Sequence, residues 1–403
     1  MYKTLVKRAA VAAVATAVSA VTLGAVSATA FASNKPASSK PTYVIAYEGP
    51  LSGGNAQLGL NMKFSVQLAI NYANEGKTFG KLPFTLKFLP ADDQGSATIS
   101  PTTAGQLVSN SQVMAVVGPA FSGATEAAEP TFSAADLATV SPSATAPVLA
   151  QKGWHNFFRV VADDDAQGPA DAVFAQKRLH AHSIYSVDDG STYAQGLVGA
   201  FDTKAKALGM KLSHQTALAT SQCGTGNTGN VDQYPALATT IKSSKAHVVF
   251  YAGYYCDFAL LAKALHTAGY TGGLMSDDGS LDPHYVKEAG ANVANGTYIS
   301  CACADLTASA AARPFAKAFQ KLAGFPVGTY SAEAYDCTNT VIDVMKHLGA
   351  HVTRQRIVNA LHKVTFKGLT KVVHFKPNGN IAGTAVYMYR VKAGKIGVLG
   401  LAP

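Results

Sequence analysis

The chain has 403 residues, of which 14% are charged and 48% hydrophobic, with 36 Gly and 17 Pro spread along it. These values exclude a disordered protein, a collagen-like repeat and a small disulfide scaffold, and the length suffices for two domains with separate cores. The formal charge of +9, from 33 Lys and Arg against 24 Asp and Glu, raises the question of a nucleic-acid partner.

Much of that charge sits at the start. Lys3, Lys7 and Arg8 precede an uncharged, Ala- and Val-rich run from Ala9 to Ala32 that closes on Ala30-Phe31-Ala32. A basic head, an apolar middle and a small-x-small end describe a secretory signal peptide, residues 1–32, cleaved near Ala32. A membrane anchor is the competing reading, but Ala, Thr and Ser insert weakly compared with Leu or Ile. Residues 33–41 read as a flexible leader. Cleavage takes the charge from +9 to +6 as the two lysines and the arginine leave. The remaining basic residues form no run of four, whereas a phosphate-binding stripe needs clustering, so nucleic acid is not an expected partner. The mature product is expected in the periplasm or the extracellular or cell-wall space.

From residue 42, short apolar runs alternate with amphipathic stretches. Strands are expected at 43–47, 84–89, 113–117 and 138–141. Helices are expected at 60–74, near 102–110 and at 124–135, with turn-rich loops at 49–59 and 118–123. The series restarts with strands at 182–187, near 210–215, 246–251 and 273–276, and helices at 193–208, 235–244 and 257–268. A repeated βαβ order implies an α/β fold of two Rossmann-like lobes with mainly parallel sheets. Their strand ends would face each other across a cleft.

The five cysteines are Cys223, Cys256, Cys301, Cys303 and Cys337. Outside the cytosol disulfides are expected, and the odd count leaves one thiol over. On a strand, Cys301 and Cys303 would share a face, where either reaches one partner. The expected pairs are Cys223 with Cys256, and Cys337 with Cys301 or Cys303.

No hydrolase elbow, phosphate loop, His-Glu-x-x-His or spaced Cys/His set occurs. His180 and His182 lack a third ligand, and Asp163-Asp164-Asp165 and Asp277-Asp278 lie in loops where aspartates cap turns and helices. No enzyme activity, metal or cofactor is expected. What stands out is hydroxyls at loop-to-helix junctions: Ser122 after one strand, and Ser143-Ala144-Thr145 after the next. Free amides and hydroxyls at helix starts suit a carboxylate, although one such loop alone would read as a simple cap.

Ordered stretches across most of residues 42–390 carry a resemblance: Gly49-Pro-Leu-Ser-Gly53 with Gly59, Val117-Gly-Pro-Ala-Phe-Ser122, and Ser141-Pro-Ser-Ala-Thr-Ala-Pro147. Arg159, Gln167-Gly-Pro169, Asp189, Tyr193-Ala-Gln-Gly196, Tyr251-Ala-Gly-Tyr254, Ser276-Asp-Asp-Gly279 and Tyr330 to Tyr335 follow in order. The chain resembles the solute-binding proteins of branched-chain amino acid ABC transporters. The resemblance implies a type I periplasmic-binding fold with a three-stranded hinge. Lobe 1 would be about 42–162 plus 302–383, and lobe 2 about 163–301 plus 384–403. It implies Ser122, Ser143, Ala144 and Thr145 around a ligand carboxylate, Asp278 against its ammonium, and Tyr254 and Tyr330 closing over it. A zwitterion taken out of water needs both charges matched, which agrees with that assignment.

Two departures from the family pattern stand out. Leu58 occupies a position that is often aromatic, and Asp278 is shorter than the usual Glu. Phe121 and Tyr255, beside mapped positions, would also alter the pocket. The expected role is therefore a monomeric protein that captures an amino acid or related small carboxylate or amide for an ABC permease. A secreted ligand-sensing domain and, less well supported, an exported hydrolase are the alternatives.

Overall fold

The computed structural model describes residues 40–220, 231–304, 306 and 310–403. The expected signal peptide and leader fall almost entirely outside them. The first sheet is built from β1 (Thr42–Gly49), β2 (Thr85–Asp92), β3 (Val113–Val117), β4 (Ala138–Ser141) and β5 (Phe157–Arg159), all parallel, in the order β2-β1-β3-β4-β5. Helices α1 (Ala56–Asn74), α2 (Ser100–Ser109) and α3 (Ser122–Ala134) connect its first four strands. In the sequence Val-Met-Ala-Val-Val of β3 only Met114 is not fully buried, as expected of a strand covered on both faces.

The second sheet begins after α4 (Asp164–Leu179). It holds β6 (Ser183–Asp188), β7 (Lys211–Thr216), β8 (Val248–Ala252), β9 (Gly273–Ser276) and β10 (Tyr298–Cys301). The intervening helices are α5 (Thr192–Ala207), α6 (Gln233–Ser244), α7 (Tyr255–Ala268), α8 (Pro283–Ala289) and the single turn α9 (Ala291–Ala294). The chain then returns to the first sheet through α10 (Arg313–Ala323), α11 (Ser331–Leu348), α12 (Arg354–Leu361) and the small pair β11 (Phe366–Lys367) and β12 (Val372–Val373). It ends in an antiparallel hairpin, β13 (Tyr387–Lys392) and β14 (Lys395–Leu401), which extends the second sheet to β14-β13-β10-β9-β8-β6-β7.

The result is the expected α/β fold of two lobes with mainly parallel sheets. The chain crosses between them three times: after β5, after β10 and after β12. Among the described residues no helix is long and apolar enough to cross a membrane. The first sheet packs Ile45, Ala115, Val117 and Val140 with Met62 and Val66 of α1 and Val341 and Ile342 of α11. In the second lobe Phe201 of α5 stacks on Phe250 of β8 at 4.0 Å between ring centroids.

The helix after β1 starts earlier than Gly59 suggests. An ideal Cβ on Gly59 would lie 1.6 Å from the Pro50 carbonyl oxygen, so the glycine lets the 49–54 loop lie against the first turns of α1. Close approach, not a turn, is the reason for that glycine.

The cysteines differ from expectation. Cys301 closes β10, the chain bends at once, and Cys303 folds back to form a disulfide with Cys301 across a Cα–Cα distance of 5.1 Å. The Cys303 amide also donates to Cys301 Sγ at 3.1 Å. The expected pairing of Cys337 with either of them is thus corrected: no extended strand presents both thiols to a third. Cys337 is a free thiol buried in α11, and burial pushes its pKa up. Cys223, and with it the expected bond to Cys256, lies outside the described residues.

Candidate functional site

The wall contributed by the first lobe is two loops laced together. β4 ends on Ser141, whose hydroxyl donates to the Pro119 carbonyl at 2.7 Å and accepts from the Ala144 amide at 3.0 Å. Ser143 Oγ donates to the Ala120 carbonyl at 2.6 Å, and Ser122 Oγ accepts from the Ala146 amide at 3.1 Å. Ser122 opens α3, and Phe121 before it supplies no side-chain cap, so the cap residue gives the first-turn amides of α3 no side-chain acceptor. Thr145 is fully buried, and its hydroxyl works to lower the pKa of Asp164 against the rise that burial imposes.

Beneath this wall lies Arg159, at the end of β5 and fully buried. Its guanidinium donates to the carbonyls of Ala144 (3.1 Å) and Ala146 (2.9 Å), to Asn380 Oδ1 (2.7 Å) and to Asp163 Oδ2 (3.2 Å). One planar fork therefore fixes the 144–146 loop to the crossing at Asp163 and to the segment carrying Asn380. Burial lowers its pKa, and the Asp163 carboxylate opposes that shift.

The second lobe's wall is acidic. After β9 the chain makes a tight turn carrying Asp277 and Asp278, both buried. Asp278 Oδ1 accepts from Gln167 Nε2 of α4 at 2.7 Å and from the Tyr193 hydroxyl of α5 at 2.8 Å. Its Oδ2 accepts from the Tyr330 hydroxyl, across the cleft, at 2.5 Å. Gln167 continues to Ser300 Oγ at 3.0 Å, and Ser300 donates to Asp171 at 2.8 Å. Asp277 accepts the Gly253 amide at 3.0 Å through Oδ2, and the Tyr193 hydroxyl also works to lower its pKa. Burial raises the pKa of both acids. Three donors on Asp278 work against the rise, so Asp278 is raised less than Asp277. Asp164 and Asp171 are likewise pushed up, by burial first and then by the Asp278 charge.

Aromatic rings fill the space between the walls. Tyr254, which precedes α7, stacks on Phe121 with centroids 4.4 Å apart, and Tyr193 tilts against it at 5.6 Å. Tyr330 sits at φ +65° just before α11, an uncommon conformation for a large side chain. Gly328 makes that turn feasible: an ideal Cβ on it would lie 2.4 Å from Asn61 Nδ2, which donates to the Thr329 carbonyl.

Ser122, Ser143, Tyr254, Asp278 and Tyr330 of the expected set all line one interlobe cavity of about 10 Å³, with Leu58, Ala120, Phe121, Tyr193 and Gly279. Ala144 and Thr145 are buried behind it. Gln167 and Tyr193 bind Asp278 directly yet carried no assigned role in the sequence reading; only their place in the family pattern pointed to them. Larger cavities of about 390 Å³ between α6 and α7 and about 630 Å³ beside β14 lie elsewhere. Neither brings anion donors from one lobe against carboxylates of the other, so the interlobe cavity is the candidate site. Space of 10 Å³ holds about one water, so a solute enters only when the walls part. Among the described residues no group of three His, Cys, Asp or Glu side chains is placed to hold a metal ion.

The sequence and the fold match known proteins. The chain is 27% identical over 313 residues to a Leu/Ile/Val-binding protein homolog from Brucella melitensis, covering 78% of this chain and 81% of the relative. It is 27% identical over 349 residues to the Leu/Ile/Val-binding protein BraC3 of Rhizobium johnstonii, covering 86% and 91%. The structure superposes on the branched-chain amino acid transporter substrate-binding protein LivJ of Streptococcus pneumoniae, solved with isoleucine. That match has a TM-score of 0.79 and 25% identity, covering 90% of this chain and all of the other. The leucine-binding protein LivK of Thermotoga maritima shares the fold at a TM-score of 0.78 and 23% identity, over 89% and 98% of the two chains. The periplasmic binding protein family model matches residues 42–395. With that span, two hinged lobes and a cleft between their strand ends, the chain belongs to the periplasmic binding protein family.

Proposed function

We propose that this chain is an exported solute-binding protein that captures an amino acid, or a related small carboxylate or amide, between its lobes and delivers it to an ABC importer. The observation that carries this reading is the pairing across one cleft: hydroxyls and helix-start amides on one side, the buried Asp278 on the other. A free amino acid presents a carboxylate and an ammonium at that spacing of chemistries, and each would replace water with a matched partner. The relatives named Leu/Ile/Val-binding support the same solute class.

In this reading residues 42–162 plus 302–383 and residues 163–301 plus 384–403 move as two bodies about the three crossings. The open form takes the solute, closure buries it, and the closed form docks on the permease as a monomer. Calorimetry with a panel of amino acids, small amides and carboxylic acids tests the proposal. Saturable heat with an amino acid supports it. Absence of heat across the panel, or turnover of an amide or ester, refutes it. Uptake in membrane vesicles holding the cognate permease separates transport from signalling to a receptor.

A further inference from the structure

Phe121 and Tyr254 meet in the cleft from opposite lobes, Phe121 from the turn before α3 and Tyr254 from the residue before α7. Their rings are stacked with 24° between planes and centroids 4.4 Å apart. The Phe121 position is built into the fold. Gly95, at φ +69°, has no Cβ, and one placed there would fall 2.6 Å from Phe121 Cδ2, so the ring occupies space that only glycine leaves. Phe121 is 8% exposed although it stands at a cleft that must open. The polar anchor is adjacent: Tyr193 leans on Tyr254 and donates its hydroxyl to Asp278.

We infer that this ring pair is the side-chain subsite of the binding cleft, and that it selects solutes with a flat unsaturated side chain over branched aliphatic ones. The inference rests on the amino-acid reading above and narrows it to aromatic amino acids, L-phenylalanine being the simplest. Because each ring belongs to a different lobe, parting the lobes turns the stack into a slab-shaped gap bounded by two ring faces. A planar ring fills such a slab at stacking distance on both sides. A branched aliphatic group is thick in every direction and holds the faces further apart.

That extra separation has a consequence, because closure must make other contacts at the same time. The Tyr330 hydroxyl reaches Asp278, the Tyr255 hydroxyl reaches the Gly54 carbonyl at 2.6 Å, and Thr329 reaches the Leu281 carbonyl. The thinner guest lets the lobes come nearer to this arrangement. Leu58 and Ala120, the other apolar residues of the lining, leave Phe121 as the ring that the first helix and its neighbouring loops bring to the cavity.

The test is calorimetric titration of the intact protein, and of Phe121→Leu and Tyr254→Leu, with L-phenylalanine, L-leucine, L-isoleucine and L-valine. The expected result is that L-phenylalanine binds the unaltered protein about tenfold more tightly than any aliphatic acid. The phenylalanine-to-leucine affinity ratio should also fall about tenfold in both variants. Comparing two solutes on one preparation makes the ratio independent of any misfolded fraction. Leucine or isoleucine binding as tightly as phenylalanine to the unaltered protein, or a ratio retained in either variant, overturns the inference while leaving the amino-acid reading intact. Absence of heat with all four acids overturns this inference, and the amino-acid reading falls with it only if the wider panel of amino acids, amides and carboxylic acids is silent as well.

Discussion

The two walls of the cleft satisfy their polar groups in opposite ways. In the first lobe, Ser122, Ser141 and Ser143 lace the 119–122 and 141–146 loops together, and Arg159 holds the second loop from beneath. In the second lobe, Asp164, Asp171, Asp277 and Asp278 are buried together, and burial raises every one of them. One wall is close to complete in itself and serves as a rigid template. The other carries more acid than it can ionise, and a cationic group entering the cleft would relieve it. In the proposed function, such a division gives orientation to the first lobe and most of the electrostatic affinity to the second.

Replacing Arg159 with Met breaks the template. The Ala144 and Ala146 carbonyls and Asn380 Oδ1 lose their Arg159 donor at once, and the expected loss is about 3–5 kcal/mol of folding stability, measured by urea unfolding. A loss below 1 kcal/mol would mean that the loops hold their shape without it. Asp278→Ala attacks the other wall. Affinity for the amino-acid ligand should fall by about 2–5 kcal/mol, with the melting temperature little changed, because relief of an acid whose pKa burial raises offsets the loss of the acceptor for Gln167, Tyr193 and Tyr330. Unchanged affinity in calorimetry would remove the ammonium role from Asp278.

Ser141→Ala is a milder cut in the first wall. It strips the acceptor of the Ala144 amide and the donor to Pro119, and should cost about 1–3 kcal/mol of stability. Its effect on affinity should be secondary, through the shape of the loop; an affinity loss equal to that of Asp278→Ala would erase the contrast between the walls.

The first lobe has misfit acids of its own, Glu129 among them, which sharpen the comparison. Glu129 of α3 is buried, accepts from Thr139 and from Asn156 Nδ2 at 2.9 Å, and is pushed up to about 8 by burial. The native chain therefore holds a proton that the unfolded chain releases above 4.5. Stability contributed by this group is full at low pH and falls as pH rises from about 5 to 8. Glu129→Gln should be near neutral at pH 5 and stabilising by at least ~1 kcal/mol at pH 8, read from unfolding curves at the two values. A pH-independent difference would show that Glu129 is not the proton holder.

Much of this was legible before the structure. β3, β4 and β9 fall on the expected residues, and in β3 the reason is plain: a parallel strand covered on both faces reads as a short unbroken apolar run between turn residues. Ser122 and Ser143 were visible as hydroxyls at strand-to-helix junctions. The C-terminal hairpin was not: β14 alternates half-buried and exposed residues at the sheet edge, and Gly397 and Gly400 interrupt its apolar pattern. Nor was the Cys301–Cys303 bond, which depends on a bend just past β10 rather than on spacing. Gln167 and Tyr193 were hidden for a different reason. They lie on α4 and α5, and only the tertiary fold brings both helices to the same carboxylate.

The glycine at position 59 reaches further than its own helix. The loop it accommodates carries Gly54, whose carbonyl receives the Tyr255 hydroxyl from the opposite lobe. Any side chain at 59 would displace that loop without touching the solute, and would weaken one of the contacts made only when the cleft shuts. In the proposed function, position 59 is thus a remote control on the balance between open and closed forms. In Gly59→Ala, a distance label across the cleft should report a larger open fraction at equal solute concentration.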